Sequence, residues 1–117
     1  MLTYFGKFCR KLRIEKNQIL KDMAEVLEVT VAYLSAVENG KRAIPDTWKE
    51  KIIKLYNLDN EQINELELSI LKTNEEIKLR LKNATKQKQE FTLKLARRFD
   101  NLTNEEIIKI SRILGGD

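Results

Sequence analysis

Histidine is absent from this 117-residue chain, cysteine and proline occur once each, and glycine only four times. Without His, and with Cys9 alone, neither a disulfide framework nor most zinc sites can be built, so no metal is expected. Cys9 lies among apolar neighbours and reads as a small buried hydrophobe rather than a redox group. There is no Gly-rich phosphate loop and no catalytic carboxylate pair. Glu75-Glu76 and Glu105-Glu106 stand at helix or strand starts, where acids are expected. The expectation is a protein that is not an enzyme, with no catalytic residues and no cofactor. No leader with an apolar core opens the sequence, and no apolar run approaches the roughly 20 residues of a membrane span. A cytoplasmic protein with no membrane contact is therefore expected. Repeats, low-complexity tracts and Pro/Gly/Ser-rich linkers are also missing from the sequence.

Charge is plentiful: 22 Lys and Arg stand against 18 Asp and Glu, a net +4. That balance permits a nucleic-acid partner without demanding one. By segment, residues 1–58 carry eleven basic against seven acidic side chains, 59–83 four against six, and 84–117 seven against five. The basic excess falls in residues 1–58, the segment that contains the stretch from Met23 to Arg42, as attraction to phosphate requires.

That stretch reads as a helix, a short corner and a second helix stopping at Asn39-Gly40. Met23, Ala24, Leu27, Val29, Leu34 and Val37 keep helical spacing, broken once at the corner. Thr30 is a fitting N-cap, Gly40 can close the helix in the left-handed conformation, and Lys41-Arg42 follow directly. A helix-turn-helix with a basic flank is a DNA-reading device.

Around it, the spacing predicts a first helix over 3–16, capped by Thr3, with Phe5, Phe8, Cys9, Leu12 and Tyr4 as its core stripe. Asn17 is expected to cap helix 2, which runs to about residue 27, and helix 3 spans 31–37. Pro45 suits a helix start. The fourth helix is expected over 46–56, burying Trp48, Ile52, Ile53 and Leu55. Asp59 or Asn60 caps a fifth, with a stripe at Ile63, Leu66, Ile70 and Leu71 that ends near residue 72. Thr85 opens a helix over 86–100 with Phe91, Leu95 and Phe99 in line. Thr103 and Glu106 form a capping box for a last helix, carrying Ile107, Ile110 and Leu114 and ending at Gly115-Gly116.

Residues 76–82 admit two readings. Apolar and charged residues alternate with the period of a strand. Ile63, Ile70, Ile77 and Ala84 also recur every seven residues, so helix 5 can run on as a coiled coil, although Thr73 and Arg80 suit such a seam poorly. A lone strand leaves its backbone unpaired, and a coiled coil needs a second helix. Both readings call for another copy of the chain, a homodimer, with Ile77, Leu79, Leu81, Phe91 and Leu95 as dimerisation residues. The expected organisation is all-α, a five-helix DNA-binding domain over 1–72 and a dimerisation or partner region of one possible strand plus two helices over 73–117.

The chain from about residue 5 to 58 resembles the phage-repressor (Xre/Cro) helix-turn-helix family. The resemblance rests on Arg10-Lys11-Leu12-Arg13, Met23-Ala24, Val29-Thr30, Leu34-Ser35 and Glu38-Asn39-Gly40-Lys41-Arg42. It implies a lambda-repressor-like domain, mostly in transcriptional repressors or autoregulators, that acts on double-stranded DNA as a dimer through its third helix. Carried over, Val31, Ala32, Ser35 and Ala36 take the base-contacting places, and Thr30, Tyr33, Asn39, Lys41 and Arg42 the phosphate-contacting ones. Arg13 and Glu38 take the places of an ion pair joining helix 1 to helix 3. The family's Ser-Gln at the start of helix 2 is Ile19-Leu20 here. Lys21 or the helix N-terminus is expected to supply the missing phosphate anchor.

The reading face lacks Arg, Asn and Gln, which pair bidentately with G or A. Val31 and Ala32 offer apolar contact suited to thymine methyls, so A/T-rich half-sites aided by DNA shape are expected. Lys86, Lys88, Lys94, Arg97 and Arg98 form a second basic cluster, either a solvated face or extra backbone contact. Two rival readings are an antitoxin whose C-terminal part grips a toxin, and an adaptor that binds protein alone.

Overall fold

Thr3 sets the start of the molecule. Its hydroxyl accepts the Gly6 N–H at 3.0 Å and donates to the Glu38 carbonyl at 2.9 Å, so one side chain caps the first helix and ties it to the third. The computed structural model describes residues 1–115, which hold helices and their connections and no strand. In order these are α1 (Tyr4–Glu15), α2 (Leu20–Val26), α3 (Val31–Glu38), α4 (Trp48–Leu55), α5 (Asn60–Asn74), α6 (Lys86–Arg98) with a 3-10 turn at Phe99–Asn101, and α7 (Asn104–Leu114). The all-α class holds. The chain divides into two compact units, Met1–Ile77 and Lys78–Asp117.

In the first unit the core is built from Phe5, Phe8, Cys9, Leu12, Met23, Ala24, Leu27, Leu34, Val37, Trp48, Ile52, Tyr56, Leu58 and Leu66. Each large apolar side chain buried here contributes about 1.5–3 kcal/mol. Trp48 joins three elements, tilted against Phe5 at 6.3 Å and edge-on to Tyr33 at 5.8 Å. The far end of the unit closes where Thr73 Oγ1 accepts the Phe5 N–H at 3.0 Å and donates to the Ser69 carbonyl at 2.8 Å. Lys11–Glu65 and Lys49–Glu67 ion pairs fasten α5 to α1 and α4.

Several expectations fail for identifiable reasons. Asn17 does not cap α2. It takes the left-handed conformation (φ 55°) that ends α1, and Ile19 stands at the N-cap, where Asp22 accepts its N–H at 2.8 Å. Pro45 lies in a turn ahead of α4, its carbonyl accepting the Trp48 N–H at 3.1 Å, so α4 starts later than expected. Tyr4 and Leu55 are exposed, and Tyr56 is buried in Leu55's stead. The Tyr4 ring lies instead under Lys7 and Lys72.

The alternating stretch at 76–82 is neither a strand nor a continued helix. The last helical residue is Asn74. Glu75 then turns left-handed (φ 54°), its N–H donating to the Leu71 carbonyl at 2.7 Å, and the chain runs without regular structure to a turn at 82–84. A strand satisfies its backbone only against another, and the sequence holds no second strand-like run.

Among its described residues the second unit has capped helices and no buried side chain. Thr85 Oγ1 caps α6, and Thr103 and Glu106 close a reciprocal box on α7 as expected. The Thr103 N–H and the Arg98 guanidinium hold the Glu106 carboxyl below its usual range. No residue of α6 or α7 is buried. Phe91, Phe99, Ile107 and Leu114 are exposed, and Leu95 and Ile110 are half-buried. The expected end at Gly115-Gly116 is described as far as Gly115; Gly116 lies outside the described residues. Among the described residues no helix is long and apolar enough to cross a membrane.

Candidate nucleic-acid interface

The corner between α2 and α3 is made by backbone. Glu28 is left-handed (φ 59°) and Val29 donates its N–H to the Ala24 carbonyl at 2.9 Å. Val29 tucks partly under the core, and Thr30 Oγ1 accepts the Tyr33 N–H at 3.0 Å to start α3. Leu34, Val37 and Glu38 face inward. Thr30, Val31 and Ala32 stand exposed at the helix start, with Ser35 and Ala36 half-buried a turn later. Tyr33 is half-buried, its ring spent on Trp48.

The other end of α3 is held from two directions. Arg13 grips the Glu38 carboxylate through two bonds, Nη1–Oε2 at 2.6 Å and Nη2–Oε1 at 3.0 Å, with the residues only 7 % and 3 % exposed. The Glu38 carbonyl accepts both the backbone N–H and the hydroxyl of Thr3, each at 2.9 Å. Gly6 is required at this crossing, because a Cβ there would run into the same carbonyl. Next to the pair, burial and then the Glu38 charge push the Cys9 thiol far above its ordinary range, with Arg13 partly offsetting. Cys9 is therefore a neutral core residue. Tyr56 donates to Gln18 Oε1 at 2.7 Å and is pushed up to about 12, first by burial.

After α3 the backbone donors are already used. Asn39, Gly40 (φ 77°) and Lys41 donate their N–H groups to the carbonyls of Ser35, Val37 and Ala36, and the Asn39 amide returns to the Ser35 carbonyl at 2.8 Å. The loop is left to present the side chains of Lys41 and Arg42, both exposed. The α2 N-terminus is likewise engaged by Asp22, whereas Lys21 is exposed.

A further basic residue borders the end of α3. Arg10 lines a cleft of about 400 Å³ together with Arg13, Ile19, Ser35, Glu38 and Asn39. Its place three residues before Arg13, on the same face of α1, was the available sequence signal. The wider charge pattern also changes once α5 is counted with its own unit. Residues 1–77 hold twelve basic and thirteen acidic side chains, and residues 78–117 hold ten and five. Cationic character around α3 is therefore local rather than a property of the unit.

Of the expected dimerisation residues, Ile77, Leu79 and Phe91 are exposed, and Leu81 and Leu95 are half-buried. Among the described residues no three His, Cys, Asp or Glu side chains gather as a metal site. Comparison with family models, curated proteins and solved structures finds no match to this chain.

Proposed function

We propose that the chain is a double-stranded DNA-binding transcriptional regulator of the lambda-repressor-like kind, a repressor that autoregulates as a homodimer on a palindromic operator and catalyses nothing. α3 enters the major groove with Val31 and Ala32 against base edges and Ser35 and Ala36 behind them. Thr30, Lys21, Lys41 and Arg42 hold phosphates, and Arg10 adds a further cation from α1. Asn39 braces the loop, and Tyr33 serves first as packing against Trp48. The observation that carries this reading is the double anchoring of Glu38 by Arg13 and Thr3, which fixes a short helix whose first turn is exposed and whose following loop offers two exposed cations. A recognition element gains specificity from such fixed presentation.

Selection from a pool of random duplexes tests the proposal. It should return inverted, A/T-rich half-sites spaced by one helical turn, roughly 34 Å, or a multiple of it. Failure to enrich any sequence contradicts the proposal. Enrichment of G/C-rich half-sites contradicts the methyl-contact account of the reading face.

A further inference from the structure

The C-terminal unit carries a groove of about 730 Å³ floored by Leu79, Leu81, Ala84 and Phe91. Arg80, Lys82 and Lys88 also line it, and none of its lining residues is acidic. Lys88 lies in the first turn of α6, a turn without an acidic residue, so the positive end of that helix adds to the field. Within the described residues, Arg80, Lys82 and Lys88 make no ion pair. The groove therefore asks for an occupant that is both apolar and acidic.

The outer face of α5 meets that description. Its inner face is spent on Ile63, Leu66, Ser69, Ile70 and Thr73. On the opposite side, Glu61, Asn64, Leu68, Leu71 and Glu75 follow one another at steps of three and four, which makes a single exposed stripe. Leu68 is 44 % and Leu71 36 % exposed, with an acid beyond each end.

We propose that this groove receives the outer stripe of α5 from a second copy of the chain. Leu68 and Leu71 enter the apolar floor, and Glu61 and Glu75 meet Arg80, Lys82 and Lys88. Groove-to-groove pairing is disfavoured, because it sets two units, each with ten basic and five acidic residues, against one another. Each copy owns both an acidic stripe and a basic groove, so a second copy supplies the complement of either. The inference rests on the homodimer reading above and gives it a geometry. It also gives residues 79–82 of the alternating segment a role as a groove wall rather than a strand.

Sedimentation equilibrium of the full chain at 10–100 µM tests it. Three proteins are compared: the natural chain, a groove reversal (Arg80→Glu with Lys88→Glu) and a stripe reversal (Glu61→Lys with Glu75→Lys). All four positions are exposed, and circular dichroism checks that the helices persist. The natural chain should dimerise, each reversal should weaken the dimer at least tenfold, and an equimolar mixture of the two reversals should recover a dimer. A natural dimer that neither reversal weakens overturns the groove-and-stripe contact while leaving the homodimer reading intact. A natural chain that stays monomeric at 100 µM overturns both. Reversals that lower duplex affinity without touching dimerisation make the groove a nucleic-acid contact and overturn the inference.

Discussion

Arg13 and Glu38 are joined by two hydrogen bonds, 2.6 and 3.0 Å long, in the junction between α1 and the end of α3. The Arg13 guanidinium also lies 3.3 Å from the Met23 sulfur, so it touches α2 as well. Removing one partner strands the other charge in the core. Arg13→Met or Glu38→Gln should each cost about 3–5 kcal/mol in urea unfolding. The double replacement by apolar residues should cost much less than the two added together. Near-neutral single variants would show that the pair is not what holds α3.

Gly6 supports the same junction from the other side. Gly6→Ala forces its Cβ against the Glu38 carbonyl and within 2.8 Å of Leu2 Cδ1, and the carbonyl is backbone that cannot rotate away. A loss of about 1–3 kcal/mol is expected, measured as a lower midpoint in thermal or urea unfolding. An Ala variant as stable as the natural chain contradicts the close crossing of α1 and α3.

At the corner, Glu28 holds φ at 59°, a conformation that is unfavourable for any residue with a Cβ. Glu28→Gly should therefore stabilise the first unit by about 1 kcal/mol, read as a higher urea midpoint with an unchanged slope. A lower midpoint would mean that the Glu28 side chain contributes more than its backbone costs.

The first five helices were legible because their signals are local: Thr3, Thr30 and Asp59 cap, Gly40 closes, and the apolar stripes keep one period. Asn17 and Glu28 were harder, since either end of a short connection can take a left-handed residue. The roles of Asn39 and Asp22 depend on where their own hydrogen bonds go, which spacing does not encode. The stretch at 76–82 misled for a different reason. Its apolar residues alternate with charged ones, yet Ile77 and Leu79 stay exposed and Leu79, Arg80, Leu81 and Lys82 all line one groove, so the period of two marks no buried face here. The pairing of Arg13 with Glu38 was reached only through a family resemblance, because a contact between residues 25 apart leaves no periodic trace.

Tyr56 gives the fold an alkaline limit. Its folded-state pKa of about 12 lies above the ordinary value of 10, so the folded protein keeps a proton that the unfolded chain releases. The stability due to this group is complete below pH 10 and is lost as pH rises through about 12. Tyr56→Phe removes the titrating group together with the bond to Gln18. Its stability should be lower at pH 8 but fall less steeply between pH 10 and 12 than that of the natural chain. Parallel curves would contradict the account.

The central claim, that α3 and the loop after it hold duplex DNA, is tested most directly by the salt dependence of affinity. The natural chain should bind duplex with an affinity that falls steeply as salt rises. Replacing Lys41 and Arg42 together by Ala should weaken binding to all duplexes about equally and reduce the slope of log affinity against log salt by about two, one for each phosphate no longer neutralised. A slope unchanged in the double variant, or a natural chain that binds no duplex even at low salt, would contradict the account.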